Sequence, residues 1–448
     1  MSDLAEISAS EAARRIRAGS LSPVDLLAAC LERIDKLEPA VQAWVTLDRD
    51  VAMRAARARA EEARAGRFVG ALHGVPVALK DIFDAAGLPT RAGVTFYDRR
   101  PDADATSVAR LRAAGAVVMG KVVTTSFALM DPGPTRNPWN SEHTPGGSSS
   151  GSAAAVGARM APLALGSQTV GSVLRPAAYC GVVGFKPTHG RIPTTGVVPL
   201  AWSLDHVGIF ARAVEDAALA LGLLAGPDGL DPLASAAPVD DYAVDRGPSV
   251  APRIGVLRAL VERASPETAA HVDGVARALG RAGATMVDVA LPPSFEGLHD
   301  LGQRVVRVEC ASFHRELFDC HRDAYPPRLR GAIEQGRAIS AVDFLEAQAA
   351  RRRFRADMTP VAARFDALLT PTAPGPAPRG IGATGDPWFC APWSFAGMPS
   401  ISLPSGLDGQ RLPLAVQLVG APLAEARLLG AAAWCERAIG FAEAPPGA

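Results

Sequence analysis

The chain has 448 residues, 48% of them apolar and 21% charged, a globular balance with ample material for a large core. Lys plus Arg and Asp plus Glu both number 46, and without a basic or acidic block nothing points to nucleic acid or an anionic membrane as partner. The opening MSDLAEISASEAARRIRAG has no apolar signal core, and no run is apolar enough to span a bilayer, so neither export nor a membrane segment is expected.

The six cysteines (Cys30, Cys180, Cys310, Cys320, Cys390 and Cys435) show neither CxxC nor zinc-ligand spacing. Their expected state is the reduced thiol of a cytoplasmic protein.

In chain order, residues 8–66 read as helices. Ser22-Pro23 has the form of an N-cap and first helical residue, with Leu27, Leu31 and Ile34 at helical spacing. The Ala- and Arg-rich segment that follows ends at Gly66, a C-cap signal. From Gly74 the texture changes. GVPVALKD (Gly74–Asp81) reads as a short buried strand ending in charge, residues 104–114 as a helix, and GAVVMGK (Gly115–Lys121) as a strand. APLALGS, GVVGFK, PRIGVL, ATMVDVAL and DALLTPT read as further strands, with helical segments between several of them. This alternation predicts an α/β protein with a mixed sheet covered on both faces. Residues 226–252 are rich in Pro, Asp and Gly and read as a surface connection, and 376–392 are loop-like.

Two familiar motifs fail on context. Gly147 to Gly151 fits G-x-S-x-G, but PWNSEHTPG precedes it where a nucleophile elbow needs a strand. Gly115 to Lys121 fits the start of a phosphate-binding loop, but Val122 stands where Ser or Thr must hold magnesium. The eight histidines form no HExxH, and neither a metal nor a cofactor is expected.

The segment from Thr144 to Pro176, TPGGSSSGSAAAVGARMAPLALGSQTVGSVLRP, gathers six serines and no histidine. Two Gly-Ser turns flank an Ala-rich helix and a strand, an arrangement that lets backbone approach a ligand closely. Backbone N–H groups near Gly171 can form an anion-binding nest. A serine nucleophile here needs a base, and lysine is the alternative to histidine. Lys80, Lys121 and Lys186 each qualify on local grounds, and spacing does not choose among them.

Long ordered stretches give the chain a wider likeness. LHGVPVALKD, TRNPWNSEHTPGGSSSGSAAAVGA, GSQTVGSVLRPAAYCGVVGFKPTHGRIPTTG, LDHVGIFAR, LLTPTAP and WSFAGMPSISLPSG resemble the amidase signature family along nearly the whole chain. The resemblance implies one amidase domain over residues 1–448. Within it lie an N-terminal helical segment (1–66), a catalytic core (67–225), the surface connection, and a C-terminal part (253–448) completing the sheet and pocket. It implies a Ser–cis-Ser–Lys triad of Ser172 as nucleophile, Ser148 as bridge and Lys80 as base. Ser172 stands 24 residues after Ser148. The backbone N–H groups of Thr169, Val170, Gly171 and Ser172 would form the oxyanion hole. Gly147, Ser150, Arg175, Met130 and Trp393 are the expected substrate contacts, within variable walls at 126–140 and 386–396. The implied reaction is C–N bond hydrolysis of an amide through an acyl-enzyme, without cofactor, by a monomer or homodimer. Carbamates, ureas and aryl esters are the alternative substrates, and a transamidating component of a tRNA-linked assembly is the alternative role.

Two positions depart from the usual family run. Val170 stands where glycine is usual, and keeps an ordinary backbone angle, reshapes the hole or lines the pocket. Arg175 follows Leu174, as in a subgroup resembling malonamidases, and either binds a substrate carboxylate or pairs with an internal acid.

Overall fold

The computed structural model describes residues 4–244 and 250–447. Its frame is one mixed sheet of eleven strands: β1 (Trp44–Leu47), β2 (Pro76–Lys80), β3 (Val117–Val122), β4 (Leu163–Gln168), β5 (Val183–Lys186), β6 (His206–Ala211), β7 (Arg253–Val256), β8 (Thr285–Asp288), β9 (Ala367–Pro371), β10 (Ser400–Leu407) and β11 (Pro413–Val419). The spatial order is β1-β3-β2-β4-β6-β5-β10-β11-β9-β7-β8. β3, β2 and β4 run parallel, as do β9, β7 and β8, and the strands between them pair antiparallel.

The sequence accounts for this order. Every residue of PVALK in β2, LALGSQ in β4 and HVGIFA in β6 is buried, as expected of central strands with both faces covered. The outermost strands, β1 and β8, each keep exposed positions.

The expected strands at 74–81 and 115–121 are present as β2 and β3, and the five later ones as β4, β5, β7, β8 and β9. The helical reading of residues 8–66 needs one correction. Helix α1 (Ala9–Arg17), α2 (Pro23–Val41) and α3 (Arg49–Arg64) are there, but β1 lies between the last two. Four residues of WVTL between long helical patterns give too short a signal to break the reading. The Ser22 side chain accepts a hydrogen bond from Val24 N, as an N-cap should. Helix α4 (Thr106–Ala113) fills the segment expected to be helical. β6, β10 and β11 are not set apart by pattern. In β10 the chain passes through Pro404, Ser405 and Gly406 with a bulge between Pro404 and Gly406. Residues 226–244 and 250–252 are irregular, as expected of a connection, and 245–249 lie outside the described residues.

What positions the site is the parallel pairing of β2 and β4, with Leu79 opposite Leu165. Their C-terminal ends lie side by side, the position at which open α/β sheets place ligands. Helix α5 (Ser150–Gly157) is buried throughout and fits only because its residues are small. A Cβ on Gly151 would lie 2.4 Å from both Ala43 O and Val123 N.

A second close approach involves Phe395. Gly302, in the helix Leu298–Phe313, faces the ring of Phe395, and a Cβ there would lie 2.1 Å from Cε2. Overpacking costs typically 1–3 kcal/mol, whereas alanine gains about 1 kcal/mol over glycine in a helix interior. Gly302→Ala is therefore expected to lose on the order of 1 kcal/mol of unfolding free energy in denaturant titration. A gain in stability would show that the Phe395 ring yields freely.

Candidate active site

Lys80 ends β2 with no solvent exposure. Its Nζ donates to Ser148 Oγ at 2.7 Å and to Ser167 Oγ at 2.9 Å. Burial pulls its pKa down from 10.5 to about 7, against the opposing pull of the Asp205 carboxylate. An amine without an ion-pair partner in a dry site favours its neutral form.

The rival lysines are engaged differently. Lys121 forms a buried ion pair with Asp81 at 3.0 Å, and Lys186 donates to Met398 O. Burial also takes Lys186 to about 7, but its hydrogen bonds go to backbone carbonyls. Of the three, Lys80 is the one bonded to serine hydroxyls.

The serines divide the work of the segment. Ser149 Oγ donates to Ser167 O and accepts from Ser167 N, and Ser152 Oγ donates to Leu165 O. These two satisfy β4 backbone while fastening α5 to the strand. Ser148 follows a cis peptide bond from Gly147. Ser149 N donates to Ser172 O at 3.4 Å, which brings the two Gly-Ser turns together. Ser150 is buried at the start of α5. A Cβ on Gly147 would meet Thr384 Cγ2 at 2.7 Å and Ser150 Oγ at 3.1 Å, so this turn is also closely packed.

Thr169, Val170, Gly171 and Ser172 line a cavity of about 240 Å³ with Met130 and Arg175. A network fixes the turn. Gln168 Oε1 accepts from Val173 N and Leu174 N, Gln168 Nε2 donates to Ser394 Oγ, and Ser394 Oγ donates to Val170 O. Neither Val170 nor Gly171 is among the residues with left-handed backbone. Val170 therefore keeps an ordinary angle, and its side chain lies at the cavity wall. Gly171 is required by space: a Cβ would lie 2.7 Å from Pro387 Cβ.

Arg175 lies in helix α6 (Leu174–Cys180). Its Nη2 donates to Gly147 O at 2.6 Å and Thr384 Oγ1 at 3.1 Å, while its buried Nε has no partner. Among the described residues no carboxylate lies within ion-pair distance of it, so the internal acid that one reading required is not there. Burial lowers its pKa, and Tyr179, Cys390 and Asp386 oppose that shift only by their fields.

Trp393 requires a correction. It has no exposure and packs with its ring centroid 6.1 Å from that of Phe354, in the core rather than the cavity wall. The apolar residues of 126–140 and 386–396 mostly do the same. Leu129 and Met130 face the cavity, while Trp139 is bonded to Cys180 O and Trp388 stacks edge-on with Phe295. An aromatic side chain in a loop carries no sequence mark that separates core from pocket.

Sequence reasoning missed Ser167, Asp205, Thr384 and Gln303. Thr384 and Gln303 line the cavity, Ser167 holds Lys80, and Asp205 accepts from Thr169 Oγ1 at 2.5 Å. Ser167 carries no sequence mark that separates it from its neighbouring serines, since its place beside Lys80 follows from the β2–β4 pairing. Among the described residues no three His, Cys, Asp or Glu side chains converge as metal ligands, and no helix is long and apolar enough to cross a membrane.

Known proteins resemble this chain along nearly its whole length. The putative amidase AmiD of Mycobacterium tuberculosis is 35% identical over 98% of this chain and 95% of its own length. A glutamyl-tRNA(Gln) amidotransferase subunit from an Anaeromyxobacter strain is 37% identical over 99% of this chain and 98% of its own length. The solved peptide amidase of Stenotrophomonas maltophilia superposes with a TM-score of 0.85 at 31% identity, covering 98% of both chains. The Amidase family model matches residues 25–429, and the chain belongs to the amidase family.

Proposed function

We propose that the protein hydrolyses the C–N bond of small amides through an acyl-enzyme on Ser172, with Ser148 and Lys80 as proton relay, acting as one catalytic unit over the whole chain. The observation that carries this reading is the buried Lys80 amine bonded to Ser148, in a site where the Ser148 and Ser172 turns meet. Neutral Lys80 takes the Ser148 proton while Ser148 takes that of Ser172, and Ser172 Oγ attacks the carbonyl carbon. The N–H groups of the 169–172 turn face the developing oxyanion. The same relay returns a proton to the leaving amine as the C–N bond breaks, and water releases the acid. Carbamates, ureas and aryl esters can pass through the same intermediate.

The cavity is small, and Arg175 stands in its wall with an unpartnered Nε and no internal acid. This favours an acyl group that carries a carboxylate or another anionic oxygen. The 37% identity to a component of an amidotransferase supports a second reading, a transamidating role in an assembly. Hydrolysis of amides by the purified chain alone separates the two.

Three outcomes are expected. Lys80→Ala, Ser148→Ala and Ser172→Ala each lower kcat by about 10³-fold or more while the fold persists, and double variants are scarcely worse than single ones. Near-normal kcat in Lys80→Ala would sink the assignment.

Because protonation below about 7 removes the Lys80 lone pair, kcat/KM falls about tenfold per pH unit on the acid side of that value. A profile flat from pH 5 to 9 contradicts this.

Arg175→Gln lowers kcat/KM for succinamate relative to butyramide by about 10- to 100-fold, the worth of a hydrogen bond to a charged group. An equal loss on both substrates assigns Arg175 to holding the Gly147 turn alone.

A further inference from the structure

Asp205 lies immediately before β6, at the point where the β4–β6 ladder ends with Gln168 opposite His206. It is buried, and both its oxygens are used. Oδ1 accepts from Thr169 Oγ1, and Oδ2 accepts from Leu200 N at 2.8 Å and Ala201 N at 3.1 Å. Thr169 and Leu200 both line the cavity beside Ser172. Asp205 also shares the wall of a small cavity of about 30 Å³ with Ser167, the second hydroxyl on Lys80.

One carboxylate thus ties the oxyanion turn to the Leu200 wall and shares a cavity wall with the serine that holds the base. We infer that Asp205 is the positioning residue of this site, holding Thr169 in place and setting, by its charge, the pH at which Lys80 becomes a base. The inference rests on the relay proposed above.

The charged surroundings are few. The field of Asp205 reaches Lys80 on β2 and Cys310 on the helix Leu298–Phe313, Glu309 of that helix acts on Asp205, and His206 shares its small cavity. Glu309 is itself occupied with Ser203, Gln348 and Arg351. Asp205 is pushed up to about 6 by burial, with the hydrogen bonds from Thr169, Leu200 and Ala201 opposing that rise. Its charge favours protonated Lys80, so removing the charge makes the amine easier to deprotonate. The acid limb of kcat/KM then moves to lower pH, although kcat falls because Thr169 is held less well.

The test is the pH profile of Asp205→Asn, run beside wild type and Lys80→Ala, with folding checked by thermal melting. The expected result is an acid limb displaced by about one pH unit toward acid, the scale of a nearby opposite charge, together with a lower kcat. Thr169→Val is the second variant. It removes a hydrogen bond that stabilises the ionised carboxylate, so Asp205 gives up its charge at higher pH. The midpoint then shifts the same way by less, which keeps the test alive if Asp205→Asn does not fold. An unmoved midpoint in every folded variant, with kcat reduced evenly at all pH values, overturns the inference and leaves Asp205 a structural residue. An active Lys80→Ala enzyme instead overturns the relay itself.

Discussion

The constraint on which the rest of the structure depends is a lysine amine placed in a dry interior without a carboxylate bonded to it. Moving Lys80 from 10.5 to about 7 corresponds to a few kcal/mol spent against solvation. Between about 7 and 10.5 the unfolded chain holds a proton at this site that the folded chain has released. Stability from this group alone therefore rises with pH across that window and is lowest below it. Such a residue persists only if the surrounding fold is stable enough to bear it.

The fold bears it through close packing at the strand ends. β2 and β4 are buried along their whole length, and α5 lies against them through residues too small to hold them apart. The hydroxyls that this approach brings in replace the hydrogen bonds that backbone loses on burial. A serine-rich segment is thus a packing solution first: Ser149 and Ser152 stitch α5 to β4, and only Ser148 and Ser167 reach the amine. Arg175 repeats the theme from the other side. It ties α6 to the Gly147 turn by one edge of its guanidinium and keeps Nε without a partner.

The central sheet and its class were legible because apolar runs such as VALK and LALG are continuous and short. The Ser22-Pro23 cap was legible for the same local reason. β1 was not, since four residues between strong helices carry no period of their own, and β10 hid behind Pro404 and Gly406. At the site, local pattern alone left three lysines open. The contact that separates them joins Lys80 on β2 to Ser167 on β4, residues 87 apart in sequence. Asp205 was invisible for a similar reason, because its meaning comes from the turn it closes and the ladder it ends. Trp393 shows the reverse error: a large apolar side chain near a pocket loop was assigned to ligand, when burial claimed it for the core.

On the proposed mechanism Ser172, and no other hydroxyl in the segment, carries the acyl group. Mixing the protein with p-nitrophenyl acetate, quenching in acid within the burst and mapping the adduct by peptide mass spectrometry addresses it directly. Acetyl is expected on Ser172 alone, absent from Ser172→Ala. Acetyl on Ser148 or Ser150, or an adduct that survives in Ser172→Ala, would overturn the assignment of Ser172.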